Sequence, residues 1–581
     1  MSLTSDRRRT FSHLRLCLIT LCFMCIGWER QADASASTVM VTDPVQGVTL
    51  EAIILKTYSE GSHDITIAPG TYRVLGGAQC AIDLDHWTNA VLRAENVTLI
   101  FEALDKLPIR LEDCDGVTLQ GGTFRFAEPS FTQGRITAIG SDDTGKYIDW
   151  QVDAGYPVFD VSKSFFDVAD QHTRLLKTGT GDISAGNVQS LGNGRFRLRQ
   201  LRGLPSPAAV GDWLFTQRPG GGNSVIHLDG CAHCVMRGVT LQNAGFAAFF
   251  ETGGGGGNQY LQCRVAPGPK PPGATEPQLV GCGADGFHSA GTRVGPTLVD
   301  CTWEGLLHDD CIAIHGLLQK VVRSEGRKLV MEKGNRAGFA VGDPVRISAR
   351  DGYIGEFKCV AMRVLEDEGG LLELTLNQES DAPAGAEASN PRCNGAGFQI
   401  LNCTLGNTRS RGILVKGDNG LIEGCAITGC GMSAISIGPE YYWREGDYSE
   451  SVTVRGNFLR NNVLNGGAEG VVYVHGEGAI GNRNITIDGN NFDRNYGQND
   501  IYIEDTDSAL ILGNHFFQTT VPLPEGRGRN VLEFKSTKDP VLIRNRVLNS
   551  AKNDTLVKID NDVEGIRVND ASGIVRVSGS P

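Results

Sequence analysis

Two short stretches, Asp285-Gly286-Phe287-His288 and His308-Asp309-Asp310-Cys311-Ile312-Ala313-Ile314-His315, hold three carboxylates and three imidazoles. Carboxylates crowded together repel one another and raise each other's pKa values, so one of them keeps its proton towards neutral pH. A protonated carboxyl beside an ionised one is the equipment that glycosidic bond cleavage needs. Each stretch reads as the start of a β-strand. The chemistry therefore requires a fold that stacks these two strands side by side.

A repeat supplies that fold. Short alternating strands end in Asn or Cys, as in Val239-Thr240-Leu241-Gln242-Asn243, Leu298-Val299-Asp300-Cys301, Ile400-Leu401-Asn402-Cys403 and Ile485-Thr486-Ile487-Asp488-Gly489-Asn490. A turn and a second short strand follow, as in Gly286-Phe287-His288, Cys311-Ile312-Ala313-Ile314, Gly412-Ile413-Leu414-Val415 and Ala434-Ile435-Ser436-Ile437. The Asn/Cys marks recur every 20 to 40 residues or so, with no helical period between them. This is the pattern of an all-β, right-handed parallel β-helix of the pectin-lyase-like kind, whose coils pair with the coils above and below about 4.8 Å away. Asn or Cys at one repeated position stacks as a ladder, so Cys263, Cys301, Cys403 and Cys425 need no disulfide partners.

Two stretches break the rhythm and share the phrase Val-Gly-Asp: Ala209-Val210-Gly211-Asp212 and Ala340-Val341-Gly342-Asp343. Glycine-bounded clusters of short strands of this size read as small inserted β-barrels, similar to each other. The resulting organisation is a signal peptide (1–36), N-terminal coils (37–128), an inserted β-barrel-like domain (129–222) and coils with the Asp cluster (223–316). A second inserted β-barrel-like domain (317–394) and C-terminal coils (395–581) complete it. No helix follows the glycine runs Gly220 to Gly222 and Gly253 to Gly257, so they do not read as nucleotide-phosphate cradles.

Aligning the second strands makes Asp285, Asp310 and Arg411 equivalent, and likewise His315 and Lys416. Ile312, Ile314, Ile413 and Val415 face inward; Ala313, His315, Leu414 and Lys416 alternate outward. One polar stripe results: Asp285, His288, Asp309, Asp310, His315, Arg411 and Lys416. His308 falls outside it. Neighbouring coils place paired carboxylates about 5 Å apart, and coils two apart about 9.5 Å. Retaining glycosidases use about 5–5.5 Å and inverting ones about 6.5–9.5 Å, so spacing alone leaves both open. Calcium binding or turn capping is the other use of such aspartates. A lyase would take Arg411 or Lys416 as its base. Zinc held by these histidines with Cys231-Ala232-His233-Cys234 lacks a second ligand pair. Glu440, Tyr442, Trp443 and Glu445 leave a strand in an aromatic-rich loop suited to sugar C–H faces and hydroxyls. Glu251 closes the strand before a glycine run and Glu356 sits in the second insert; both are candidates for a more distant carboxylate.

The bulk numbers fit a soluble, turn-rich protein with 75 glycines. Residues 1–36 carry five basic and three acidic side chains, +2 of a formal −13, so the remainder carries −15. That charge does not suit DNA or an anionic membrane as partner. Arg7-Arg8-Arg9, the apolar run from Leu16 to Trp28 and the small residues Ala32 to Ala36 read as an export signal, with Arg8-Arg9-Thr10-Phe11 similar to a twin-arginine signal. The expected location is periplasmic or extracellular, with no membrane span in the mature chain. Thirteen of the 16 cysteines lie beyond the signal, an odd number that cannot pair completely.

Asp285-Gly286-Phe287 followed by Asp309-Asp310-Cys311-Ile312-Ala313-Ile314 resembles the signature of glycoside hydrolase family 28, the polygalacturonases, although the Gly-His-Gly of the next coil is missing and Arg-Ile-Lys has only an echo in Leu414-Val415-Lys416. Arg409-Ser410-Arg411-Gly412-Ile413-Leu414-Val415, the strand Ala434 to Ile437, Tyr442-Trp443 and Glu445 are similar to glycoside hydrolase family 110, from about residue 225 to 460. That second resemblance implies an inverting, exo-acting α-1,3-galactosidase on a β-helix with inserted barrels; Lys416 and Pro439-Glu440 depart from it. Together these readings expect catalysis by Asp285, Asp309 and Asp310 and substrate binding by His288, His315, Arg411, Lys416, Glu251, Glu440 and Trp443. They expect an oligo- or polysaccharide substrate and neither metal nor organic cofactor. A polygalacturonase-like hydrolase, a calcium-dependent lyase on acidic glycans and a non-catalytic carbohydrate-binding β-helix are the alternatives.

Overall fold

The computed structural model describes residues 39–41, 49–75, 79–203, 207–333, 338–350, 354–366, 369–517, 529–548, 555–569 and 577–578. The expected export signal lies outside the described residues.

The alternation of the short strands has the expected result. Ile312, Ile314, Ile413, Val415, Ile435 and Ile437 are fully buried in one continuous core. Their strands, Phe287–Ala290, Ile312–His315, Ile413–Lys416 and Ile435–Ile437, pair in parallel and in register. Two further parallel stacks run alongside, one through Gln259–Leu261, Thr297–Val299 and Gln399–Leu401, the other through Thr404–Thr408, Ala426–Cys430 and Phe458–Arg460. Each coil so contributes a strand to each of three faces, the architecture of a parallel β-helix. Burial of every inward side chain along such a stack fixes register, because a one-residue slip would turn the apolar row outward.

The Asn/Cys marks form a single ladder inside the coils. The thiols of Cys263, Cys301, Cys403 and Cys425 donate to the carbonyls of Met236, Tyr260, Leu298 and Ile400 in the coil before. Asn457, Asn490, Asn514 and Asn545 then take over the same position, donating to Ile422, Val454, Ile487 and Ile511. The 13 cysteines beyond residue 36 are all free and buried.

Both rhythm breaks are closed six-stranded antiparallel barrels. The strands of the first fall between Phe131–Asp142 and Trp213–Gln217, those of the second between Gln319–Glu325 and Glu387–Ser389. Leu107–Glu112 pairs directly with Ile226–Asp229, and Ile312–His315 with Ile413–Lys416, so each barrel is an excursion between adjacent coils. The shared Val-Gly-Asp makes the same turn twice. Gly211 and Gly342 have φ of +96° and +97°, and Asp212 and Asp343 accept from the backbone N–H of Ala209 and Ala340 at 2.8 and 2.9 Å. A left-handed φ of this kind is open to glycine at no steric cost.

Two elements among the described residues depart from the all-β expectation, the short 3-10 turn Pro391–Cys393 being the lesser. Leu50–Ser59 is an α-helix, N-capped by the Thr49 hydroxyl, that buries Leu50 and Ile54 against the first coil. It covers the apolar end that a stack of coils leaves exposed. Among the described residues no helix is long and apolar enough to cross a membrane.

Candidate active site

The register puts Phe287 beside Ile312 and Ile312 beside Ile413. Asp285, Asp310 and Arg411, two residues earlier, therefore lie on three successive coils, although 101 residues separate Asp310 from Arg411. Gly286 N–H donates to Asp310 O at 3.0 Å, and Cys311 N–H to Arg411 O at 2.9 Å. Gly286 is required for this approach: a Cβ there would sit 2.7 Å from the Cys311 carbonyl and from the Trp303 indole nitrogen that donates to it.

The three aspartates offer carboxylate oxygens within 4.8 Å of one another. Their environments differ. Asp310 is buried; its Oδ1 accepts the Arg411 backbone N–H at 2.8 Å and its Oδ2 the Arg411 guanidinium at 3.0 Å. Both of its oxygens are thus bonded to Arg411, one of them to a cationic donor. Asp309 is half-buried, and burial together with the neighbouring Asp285 and Asp310 pushes its carboxyl up to about 8. Burial likewise raises Asp285, against the pull of a hydrogen bond with His288. One cluster so contains a carboxylate paired with a guanidinium and a carboxyl whose pKa is raised, two unlike environments of the kind that acid–base hydrolysis uses.

Behind Asp285 runs a chain of imidazoles. Asp285 Oδ2 lies 3.0 Å from His288 Nδ1, His288 Nε2 lies 2.9 Å from His315 Nε2, and His315 Nδ1 lies 2.6 Å from the Gly316 carbonyl. Burial lowers His315 to about 4, so this ring is neutral. For His288 burial works the same way but is outweighed by Asp285, and the net shift is upward.

His288, His315 and Glu445 also offer three atoms within 4.8 Å. Two imidazoles on one zinc, at about 2.0–2.1 Å each, hold their nitrogens roughly 3.3 Å apart. The observed 2.9 Å is a hydrogen-bond distance. In this arrangement His288 bonds to His315 and Asp285, Glu445 to Lys416, and Asp310 to Arg411.

The structure corrects four of the expected substrate-binding positions, His315, Lys416, Trp443 and Glu251. Lys416 and His315 do leave the coil on its outer side, but a turn roofs them. Glu440 and Glu445 bridge each other, and Gly446 N–H and Leu318 N–H tie this segment to Gly316 and Arg444. Lys416 is 0 % exposed and donates to Glu440 and Glu445 at 2.8 and 2.9 Å; His315 is buried with it. Neither can reach a sugar; both support the residues in front of them. Glu440 meets Lys416 and also Arg411, which ties it to Asp310 through the guanidinium. Trp443 sits at the tip of the same turn, 65 % exposed against Tyr442, and does not line the cavity beside Asp309. Glu251 belongs to the inward row: it pairs with Ser289 and accepts from Ser289, Asn258 and Tyr260 inside the coil, 1 % exposed. Glu356, on the second barrel, is bound up with Arg346 of the same barrel and Arg483 of the coils.

A cavity of about 410 Å³ opens beside Asp309, between the coils and the first barrel. Its wall includes Ala284, Asp309 and Arg409 from the coils and Phe165, Asp167 and Gln217 from the barrel. That volume lies in the range of small-ligand sites, about 300–1,000 Å³. Glu445 and Arg409 entered the sequence reading only as members of motifs, and Asp167 did not enter it at all. The turn that pairs Glu440 with Glu445 is a signal for the first; nothing in the sequence brings a barrel residue to an aspartate about 140 positions later.

Comparison with known proteins agrees with this architecture. A family model described as "Right handed beta helix region" matches residues 392–553. Over 525 residues, covering 78% of this chain and 79% of the relative, the sequence is 22% identical to alpha-1,3-galactosidase B of Bacteroides thetaiotaomicron. Among solved structures, the A-module of a mannuronan C-5 epimerase from Azotobacter vinelandii superposes with a TM-score of 0.38 at 11% identity, over 89% of this chain and 94% of that one. The catalytic domain of a GH87 alpha-1,3-glucanase does so with a TM-score of 0.39 at 9% identity, over 91% and 69%. The chain is a right-handed parallel β-helix with two inserted barrels, similar over most of its length to an α-1,3-galactosidase.

Proposed function

We propose that this protein is an exported glycoside hydrolase acting on α-galactosides. The observation that carries the reading is the unlike pair Asp309 and Asp310: one carboxyl open to the cavity and raised to about 8, the other clamped by Arg411. Asp309 gives its proton to the glycosidic oxygen as the C1–O bond breaks. Asp310, with Asp285 beside it, takes a proton from the water whose oxygen bonds to C1. The α-galactoside preference rests on the similarity to alpha-1,3-galactosidase B. Export rests on the N-terminal sequence.

Arg411 and Lys416 are each held by carboxylates. Against its burial, Asp310 and Glu440 hold the Arg411 guanidinium in its charged form, and Lys416 is buried between two carboxylates, which speaks against either as the base of a lyase. Inversion is the stereochemical expectation from the family resemblance. Carboxylate oxygens that approach within 4.8 Å of one another support a second reading, retention, whose pairs stand about 5–5.5 Å apart.

The test is hydrolysis of a panel of α- and β-galactosides and galacturonans, with Asp310→Asn as control and NMR of the first product anomer. An α-galactoside that releases β-galactose first supports inversion; α-galactose first supports retention. Turnover undiminished in Asp310→Asn, or an unsaturated product, would overturn the hydrolase reading.

A further inference from the structure

Two phenylalanines face solvent at the cavity beside Asp309. Phe165, the first residue of the barrel strand Phe165–Ala169, is 62 % exposed; Phe246, from the coils, is 42 % exposed; both line the cavity. Among the described residues no other Phe, Tyr or Trp lines it. Phenylalanine is one of the residue types most often found inside, so two of them left open on one concavity mark a surface kept for a ligand.

Both residues stand on fixed backbone. Phe165 pairs with Ser184 of the neighbouring barrel strand, and its carbonyl accepts the Thr216 hydroxyl at 2.5 Å. Phe246 N–H donates to Asn223 O at 3.3 Å, and its carbonyl accepts the Cys282 thiol at 3.0 Å. The Phe246 ring meets Phe250 edge-on, with centroids 5.6 Å apart, and Phe250 meets His288 in the same way at 5.3 Å. His288 is the imidazole that bonds to Asp285. A rail of three rings so ties one wall of the cavity to the acid cluster.

Five glycines share the wall: Gly220 to Gly222, Gly245 and Gly283. A Cβ on Gly245 would lie 2.4 Å from the Gly222 Cα, and one on Gly283 would lie 3.0 Å from the Gly245 carbonyl. These segments pack backbone on backbone and leave the two rings as the large apolar surfaces of the cavity. Asp309, Asp167 and Arg409 stand in the same wall. A ligand that suits this mixture offers C–H groups on one face and hydroxyls at its edge, as a pyranose does. Galactose, with its axial 4-hydroxyl, gathers C3–H, C4–H and C5–H into one apolar patch.

From this geometry we infer that Phe165 and Phe246 are substrate-binding residues, each seating the C–H face of a pyranose, and that the first barrel is thereby part of the active site. The inference rests on the glycosidase reading for the identity of the ligand, and on the two exposed rings for its place.

The test reads binding and turnover separately. Methyl α-galactoside is titrated with wild type, Phe165→Leu and Phe246→Leu and followed by NMR of the ligand. In wild type the ring currents of the phenylalanines shift H3, H4 and H5 upfield; each leucine variant, apolar but without a ring, shrinks those shifts. On an aryl α-galactoside each leucine variant loses roughly 10-fold in kcat/KM, carried by KM with kcat little changed. Phe165→Tyr and Phe246→Tyr keep the ring face and stay close to wild type. A structural role would leave the ligand shifts in place. Should a variant give little folded protein, the wild-type shifts alone carry the test. Ligand shifts that vanish in the leucine variants, without turnover in wild type, sink the hydrolase and sustain the role of the rings. Turnover without ligand shifts, and with leucine variants equal to wild type in KM, sinks the role of the rings and leaves the hydrolase. An effect in one leucine variant alone overturns the inference for the other ring. Neither shifts nor turnover in wild type sinks both readings.

Discussion

The Nε2 atoms of His288 and His315 face each other at 2.9 Å, and that contact fixes the protons of the whole chain behind the site. His315 donates its Nδ1–H to the Gly316 carbonyl, so its Nε2 must accept. His288 therefore donates from Nε2. One proton then remains between His288 Nδ1 and Asp285 Oδ2, 3.0 Å apart: the pair is either imidazole with carboxylic acid or imidazolium with carboxylate. In both forms Asp285 reaches the cluster with a single shared proton.

The proton order is measurable. Because burial holds His315 at about 4, its ring stays neutral with hydrogen on Nδ1 from about pH 5 to about pH 8. Long-range ¹H–¹⁵N correlation spectra of the histidines report this directly. A His315 midpoint above about 6 would reverse the order of donors, with His315 Nε2–H donating to His288 Nε2.

Asp309 links the pH dependence of activity to that of stability. Its raised carboxyl is protonated, and competent as an acid, below about 8. The rate should fall as pH rises through that value, and Asp309→Asn should lose about 10²–10⁴-fold in kcat on an unactivated substrate. The same shift has a sign for folding. A carboxyl that titrates near 3.8 when unfolded and near 8 when folded contributes stability fully present below about 3.8 and lost progressively up to about 8. Asp309→Asn removes that loss. Melting temperatures at about pH 4.5 and pH 8.5 should show the variant gaining on wild type at the higher pH; an equal difference at both would contradict the raised value.

Lys416 is the counterweight of the roofing turn. Its buried ammonium stands between Glu440 and Glu445, and burial of Glu445 is overcome by His315 and Lys416, which hold it at about 2. Lys416→Met leaves two carboxylates without their cation and should cost about 3–5 kcal/mol in urea unfolding. Glu445→Gln keeps Glu440 on the lysine and should cost less, about 1–3 kcal/mol. It should also remove part of the stability that wild type has above about 4.5 and loses as pH falls toward 2, the sign expected of a depressed carboxyl. Comparable losses in the two variants would show that Lys416 is not the centre of the network.

How much of this was legible in the sequence follows from what is periodic. Short strands that repeat in register are a local, recurrent property, so the equivalence of Asp285, Asp310 and Arg411, and of His315 and Lys416, could be read by aligning strands. The barrels announced themselves by breaking the period and by sharing Val-Gly-Asp. What was not legible is aperiodic or two-valued. Glu251 follows two phenylalanines, Phe249 and Phe250, and either phase of that strand buries one of them; the structure chose the phase that turns Glu251 inward. Lys416 and His315 were placed on the correct side of the strand, but the turn that covers them has no counterpart in other coils. Asp167 reaches the cavity only because the barrel folds back over the coils, a contact that no sequence spacing encodes.

The ladder inside the coils offers a last test, because one structural position is filled by two chemistries. Asn490 donates to Val454 O and to Asn514 Oδ1, and accepts from both nitrogens of Asn457. Its removal in Asn490→Ala strands a backbone N–H and a carbonyl in the core, and about 3 kcal/mol or more should be lost at roughly 1–3 kcal/mol per orphaned group. Cys301 at the equivalent place makes a weak thiol contact with Tyr260 O at 3.2 Å. Cys301→Ala should cost about 1 kcal/mol, mostly the packing of one sulfur. Guanidinium unfolding of the two variants decides the point. If they cost the same, the asparagines are spacers like the thiols; if Asn490→Ala costs several times more, the C-terminal coils are held by a continuous polar spine that the coils bearing the aspartates lack. The coils around the site would then be the more easily opened part of the stack, and hydrogen exchange should find Phe287–Ala290 less protected than Asn482–Asp488.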